Sequence, residues 1–383
     1  MLPFYYVPGV PVHSVLLLPT HQDAANIPRG DILLGLCCRC GLISNLTFDP
    51  ELTHYGPAYE STQSCSNTYN RFSQRLAEDL VERYNLYGKT VLEIGCGHGE
   101  FLKAVCELGG NHGIGYDPAH NPGRVVSNAD LTFVKRLYPE NDSRHAVDFL
   151  ICKMTLEHIP NPRRFLSMVR RSLDASRKTI VFFQVPDTTR ILQEMAFWDI
   201  YYEHCSYFTP ESLAYLFVEL HFEVLRTHTI YNDQYLVIEA KMEDGMLRSR
   251  PSEHGDKLVG PVMSFGRRTG ALKNIWRNHF AKQRLRKKKV VLWGAGSKAV
   301  AFLTTLDERE TVRYCVDINP NKNGTFIAST GQEIVLPEFL KDYCPDEIVV
   351  MNPVYLAEIR ETVNRLGVAT ILRPVNQPPG QDG

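Results

Sequence analysis

The chain has 383 residues, 44% of them hydrophobic, enough for two or three domains with proper cores. Its 42 lysines and arginines against 43 aspartates and glutamates leave a net charge of −1, which excludes a global attraction for nucleic acid or membrane surfaces. No apolar run nears the ~20 residues of a bilayer span, Val15-Leu-Leu-Leu18 lacks the basic flank of a signal peptide, and ten scattered cysteines suit reduced thiols. A soluble cytoplasmic protein acting on a small molecule is expected, with its oligomeric state open.

Residues 1–50 are rich in proline and glycine and weakly periodic. Within them, Leu36-Cys-Cys-Arg-Cys-Gly-Leu42 holds one C-x-x-C, Cys37 and Cys40. Two thiolates at this spacing form half of a four-ligand zinc knuckle. No second C-x-x-C follows, and His13 and His21 are candidate completing ligands at arbitrary spacing. A structural zinc on Cys37 and Cys40 therefore stands against a small uncharged loop. Residues 54–70 are dense in hydroxyls and aromatics, a solvated linker or a lid over a polar substrate; their position ahead of the next unit favours the lid. From Arg71 to Tyr84 the spacing predicts an amphipathic helix with Phe72, Leu76, Leu80 and Val81 on one face.

Between 89 and 242 strand and helix patterns alternate. Strands are expected at 89–95, 112–117, 131–135, 147–153, 178–185, 222–230 and 234–241, and helices at 99–109, 162–173, 189–198 and 209–219. This is the pattern of a doubly wound, Rossmann-like α/β sheet, with ligands beyond the carboxyl ends of its strands. The first unit, Val91-Leu-Glu-Ile-Gly-Cys-Gly-His-Gly-Glu100, is strand, glycine-rich turn and helix, so a ligand can approach bare backbone. The next strand ends at Asp117, where a ribose diol would meet a carboxylate. Glu100 stands where the dinucleotide fingerprint needs its third glycine. The pattern E-x-G-x-G-x-G resembles motif I of S-adenosylmethionine (SAM) methyltransferases. That resemblance implies SAM contacts at Glu93, Gly95, Gly97, Gly99 and Asp117, with Met154 on the rim, against an ordinary α/β turn without ligand.

Two polar stretches could carry chemistry. Cys152-Lys-Met-Thr-Leu-Glu-His158 ends the fourth strand; Glu157 and His158 diverge if helical, which favours a structural or cofactor-edge role. Asp199-Ile-Tyr-Tyr-Glu-His-Cys-Ser-Tyr-Phe208 packs two tyrosines, a carboxylate and an imidazole into one loop. Histidine titrates near neutrality and serves as general base, a neighbouring glutamate can support it, and tyrosine hydroxyls can donate to a developing enolate. The bland alternative is a polar surface loop.

Residues 243–260 read as a linker, followed by a helix over 262–288 whose basic end, Arg284-Leu-Arg-Lys-Lys-Lys289, reads as solvated. A second α/β unit begins at Val290. Gly294, Gly296 and Ala299 satisfy G-x-G-x-x-[GA], with Asp317 at the expected distance. Taken alone this supports NAD; amides at a helix N-terminus beside Lys298 also suit a pyrophosphate. The domains are thus 1–70, an N-terminal segment with lid; 71–245, the SAM unit; 246–288, linker and long helix; 289–375, a second Rossmann-like unit; and 376–383, a disordered tail.

Taken together, the chain resembles the sugar C-methyltransferases that act on nucleotide-linked ketosugars. The resemblance rests on Cys37-x-x-Cys40-Gly41-Leu42, Tyr59 to Thr68, Val91 to Gly99, Asp117-Pro-Ala119, Tyr201-x-Glu203-His204-x-x-Tyr207-Phe208, Gly294-Ala-x-x-Lys298 and Val316-Asp317-x-Asn319-Pro-x-Lys322. It implies an N-terminal zinc segment, a central SAM domain and a C-terminal domain holding the nucleotide sugar. His204 would be the base, with Glu203 and Tyr201 assisting and Tyr59 contributing from the lid. Tyr207, Gly294, Gly296, Lys298 and Asp317 would hold the substrate. Three departures stand out: the family's first C-x-x-C would precede Met1, Arg136 replaces an acid near the adenine, and no Pro-Gly turn follows Lys322. The expected reaction is SAM-dependent C-methylation of a keto-deoxysugar through an enolate. Alternatives are methylation of an O- or N-acceptor, an NAD-dependent oxidoreductase, and a non-catalytic sensor.

Overall fold

A computed structural model of the protein describes all residues except 57, 122, 124–126, 139–145, 175–177, 243–254 and 381–383. Most of the expected linker and the end of the expected tail thus lie outside the described residues.

The N-terminal segment contains strand β1 (Leu2–Pro11), a short helix α1 (His21–Ala25), β2 (Arg29–Leu36) and β3 (Ile43–Asn45). β1 pairs antiparallel with β2, and β2 with β3. Pro3, Pro8 and Pro11 sit on β1, the edge of this sheet, where a missing N–H costs little. That composition hid a strand from the sequence reading. Tyr5 and Val7 of β1 point inward with Ile32 and Leu34 of β2, while Tyr6 is exposed.

Helix α2 (Asn67–Arg83) starts four residues before the expected position because Ser66 caps it, accepting from Tyr69 N. The central unit follows: β4 (Thr90–Ile94), α3 (Glu100–Gly109), β5 (His112–Tyr116), β6 (Asp130–Val134), β7 (Phe149–Lys153), α4 (Pro162–Ser172), β8 (Ile180–Pro186) and α5 (Thr188–Glu194). A two-residue strand β9 (Ser206–Tyr207) leaves this unit to pair with β3 of the N-terminal sheet. Then come α6 (Pro210–Glu219), β10 (Phe222–Ile230) and β11 (Tyr235–Met242). The seven-stranded sheet runs β10-β11-β8-β7-β4-β5-β6, parallel from β8 to β6, with the β10–β11 hairpin antiparallel at one edge. β7 is buried along its whole length, apolar from Phe149 to Cys152 and ending in Lys153.

The long helix α7 (Val259–Leu285) leads into β12 (Val290–Trp293), α8 (Ser297–Leu306), β13 (Val312–Val316), β14 (Glu333–Val335), α9 (Leu340–Tyr343), β15 (Glu347–Val350), α10 (Leu356–Leu366) and β16 (Ile371–Pro374). All pairs of this sheet are parallel, in the order β14-β13-β12-β15-β16. Within the stretch expected to be a disordered tail, Pro378 is buried. One apolar cluster joins Tyr5, Val7 and Ile32 of the N-terminal sheet to Phe265 and Trp276 of α7 and to Val300 and Phe302 of α8. The loop after α5 enters the same cluster, where Phe197 stacks on Phe302 at 5.6 Å.

Strand order reverses between β4 and β7 in the central sheet and between β12 and β15 in the C-terminal one. Ligands of parallel sheets bind beyond such switch points, where connections diverge and leave a crevice. Here both crevices open into a single cleft of about 1080 Å³. No described helix is long and apolar enough to cross a membrane.

Candidate active site

At the first switch point, β4 delivers Glu93 and then Gly95, whose φ is +71°. A Cβ at Gly95 would lie 2.0 Å from Thr155 Oγ1, so only glycine fits. Asp117, after β5, accepts from Gly97 N at 2.8 Å and Ala119 N at 2.7 Å. Glu93, Gly95, Gly97, Asp117 and Met154 all line the cleft, whereas Gly99 does not. Gly99 instead lets α3 approach Phe133, whose ring a Cβ there would meet at 2.4 Å. Glu93 Oε2 and His98 Nδ1 are buried in this region without a hydrogen-bond partner. Bare backbone, a carboxylate for a diol and polar atoms without protein partners fit an adenosyl cofactor with an amino-acid end.

Between the two switch points stands the 199–207 loop. His204 is buried, its Nδ1 has no partner, and its ring lies 4.1 Å from Tyr201 and 4.9 Å from His158. Tyr55 OH is 3.0 Å from His158 Nδ1. Ligand atoms of Glu157, His158 and His204 lie within 4.8 Å of one another. Both Glu157 oxygens are buried without a partner, and burial pushes this carboxyl up to about 8. Burial, with His158 beside it, pushes His204 well below its ordinary value, so the imidazole is neutral and can accept a proton. Burial also keeps the Tyr59 and Tyr201 phenols protonated and able to donate. Tyr55, Tyr59, Glu157, His158, Tyr201 and His204 all line the cleft.

Glu203, expected to assist His204, points the other way. It accepts from Ser14 N at 3.0 Å, from Ser14 Oγ, and from His13 Nδ1 at 3.3 Å. His13 Nε2 accepts from His54 N, which leaves the His13 proton on Nδ1. Glu203 lies in a tight turn, closed by His204 N donating to Tyr201 O at 3.2 Å, so the acid next to His204 in sequence is not the acid next to it in space. Tyr207 also stays out of the cleft lining; its hydroxyl donates to Tyr201 O at 3.4 Å and braces the loop. Glu157 and His158, read as structural or cofactor-edge from their adjacency, both reach the cleft, where the 3₁₀ turn Leu156–His158 presents them together.

At the second switch point, Gly294, Gly296, Lys298 and Asp317 line the same cleft. Asp317 accepts from Ala295 N at 2.9 Å and from Lys322 Nζ at 3.1 Å. Lys298 donates to Asp199, which also accepts from Arg190 Nη2 at 2.6 Å. Burial alone would raise the Asp199 carboxyl, but Lys298 and Arg190 hold it down at about 2. Sequence reading missed Arg190, whose helix pattern gave no sign of a charge turned inward. From α10, Glu358 accepts from Ser66 Oγ at 2.8 Å and Thr68 N at 3.0 Å, at the N-terminus of α2.

The expected zinc site does not assemble among the described residues. Cys37 and Cys40 share one tight turn, with Gly41 N donating to Cys37 O at 2.9 Å. His13 is engaged by Glu203, and His21 packs on Phe326. Among the described residues, no group of His, Cys, Asp or Glu gathers at this turn as a tetrahedral zinc requires.

The methyltransferase-domain family model matches residues 69–227, and the C-methyltransferase C-terminal domain model matches residues 246–370. C-methyltransferase NovU of Streptomyces niveus is 24% identical over 368 residues, covering 90% of this chain and 85% of its own. The ubiquinone biosynthesis O-methyltransferase of Cronobacter sakazakii is 34% identical over 86 residues, covering 20% of this chain and 35% of its own. Among solved structures, 1,6-didemethyltoxoflavin-N1-methyltransferase of Burkholderia thailandensis with S-adenosylhomocysteine is 18% identical, covering 46% of this chain and 82% of its own at a TM-score of 0.37. The magnesium protoporphyrin IX methyltransferase of Synechocystis, 15% identical, covers 46% of this chain and 84% of its own at a TM-score of 0.36. The chain is a SAM-dependent methyltransferase. The two family models lie in succession along its length, which supports a C-methyltransferase family.

Proposed function

We propose that the protein methylates a carbon beside the ketone of a nucleotide-linked keto-deoxysugar. The observation that supports this most directly is the single cleft shared by two glycine turns, Gly95–Gly97 and Gly294–Gly296, with the His204 cluster between them. A methyl donor at the first turn and a diphosphate at the second would bring the acceptor sugar against His204.

The bound cofactor supplies an electrophilic methyl group on a sulfonium. His204, neutral in its buried setting, takes the proton from the carbon next to the ketone. The electron pair moves to oxygen, where a tyrosine hydroxyl from Tyr55, Tyr59 or Tyr201 donates to the enolate. With SAM held at the Gly95–Gly97 turn, its methyl group would be the electrophile this carbon meets, and the thioether would be the group released. Lys298, Arg190 and Asn319 are the groups on the cleft wall suited to a diphosphate and its ribose. No metal is needed for these steps.

The test is methyl transfer to a panel of nucleotide-linked ketosugars by the protein and by His204→Ala. Turnover should disappear in the variant while SAM affinity stays within a few-fold. Turnover that survives would remove His204 as the base.

A further inference from the structure

Two charged side chains at the floor of the cleft are used by none of the steps above. Lys153, the last residue of β7, is 8% exposed, and Glu93, near the end of β4, is 3% exposed. These are adjacent strands, paired in register from Val91 and Phe149, so both residues end at the switch point beside Gly95. Both line the cleft. Lys153 Nζ stands 3.4 Å from the centre of the Phe101 ring, and among the described residues no carboxylate lies within ion-pair distance of it. Glu93 Oε2 is buried without a hydrogen-bond partner. Burial pushes Lys153 down and Glu93 up, and each partly offsets the other's shift.

A buried ammonium and a buried carboxylate that do not close on each other are costly to keep. The motif-I turn alone accounts for the glutamate, as the first residue of its E-x-G-x-G-x-G pattern. It does not account for a lysine driven into the same floor and held over an aromatic face. What suits both is a zwitterion, with an anion for Lys153 and a cation for Glu93. The amino-acid end of SAM carries these two groups on a single carbon.

We propose that Lys153 is the carboxylate-binding residue of the cofactor site, paired with Glu93 as a clamp on the zwitterionic end of SAM. The inference rests on the cofactor assignment and goes beyond it, because it makes affinity depend on the cofactor's carboxylate through one side chain. The Phe101 ring holds the ammonium in place through a cation–π contact.

Three thioethers separate the contributions: S-adenosylhomocysteine, its decarboxylated counterpart, and 5′-methylthioadenosine, which lacks the whole amino-acid end. Calorimetric titration of the full chain should show wild type losing about 10- to 100-fold in affinity on decarboxylation, the range for a charge-assisted bond. In Lys153→Met that ratio should fall to within about threefold, with 5′-methylthioadenosine bound as by wild type. Lys153→Gln provides a second variant, and the wild-type ratio needs no variant at all. A wild-type protein that ignores the carboxylate, or a Lys153→Met that keeps the full ratio, overturns the clamp. Failure of all three thioethers to bind wild type would overturn the cofactor assignment itself, a different result from an unchanged ratio.

Discussion

Replacing Asp199 with asparagine removes the anion shared by Arg190, 2.6 Å away, and Lys298. This clasp ties the His204 loop to the first turn of α8. The carboxyl is held at about 2 against an ordinary 3.8. At ~1.36 kcal/mol per pKa unit, that is about 2 kcal/mol of stability. Because the folded value is depressed, the contribution is complete above pH ~4 and fades as pH falls toward 2. The substitution also leaves two cations facing each other. Arg190 keeps Glu194 at 3.1 Å, and the Lys298 side chain is 23% exposed and can rehydrate. The total cost at neutral pH should therefore sit at the lower end for a broken buried pair, about 3 kcal/mol. Urea unfolding of wild type and Asp199→Asn, from pH 7 down to pH 3, reads it directly. A cost below ~1 kcal/mol at pH 7, or one that does not shrink on acidification, would refute the clasp.

Two further perturbations follow from the same physics. Glu157 is raised from 4.5 to about 8, so between those values the unfolded chain ionises while the folded protein keeps the proton. Wild-type stability should fall across that window by up to ~5 kcal/mol, and Glu157→Gln should lack this part of the slope; a constant difference between the two from pH 5 to pH 8 would mean that Glu157 is ionised. Gly95→Ala forces a side chain onto a left-handed backbone, with its Cβ 2.0 Å from Thr155 Oγ1. It should cost about 1–3 kcal/mol in thermal unfolding and more than tenfold in S-adenosylhomocysteine affinity; binding at wild-type strength would show that the turn is not the cofactor site.

The central unit was largely legible because its signals are local. Apolar runs such as Phe149–Cys152 and glycines at every second position specify strand, turn and helix without reference to the rest of the chain. The expected strand at 222–230 matches β10. The N-terminal sheet was not legible: prolines that are harmless on an edge strand read as loop, and β9, its fourth strand, comes from a loop some 160 residues later. The His204 loop was visible as a dense polar stretch, but which groups meet there depends on packing. Glu203 turns to His13 and Ser14, near the start of the chain, while Glu157 arrives from the end of β7. Likewise, Lys298 and Asp199 are 99 positions apart, and spacing carries no information about such a pair.

The most direct test of one cleft with two occupants is titration of nucleoside diphosphates into the full chain saturated with S-adenosylhomocysteine. The account predicts that a nucleoside diphosphate binds, and that Lys298→Ala weakens it about tenfold while S-adenosylhomocysteine affinity changes by less than about twofold. Binding of S-adenosylhomocysteine with no nucleoside diphosphate binding at all would contradict it, leaving a methyltransferase whose second glycine turn does not hold the acceptor.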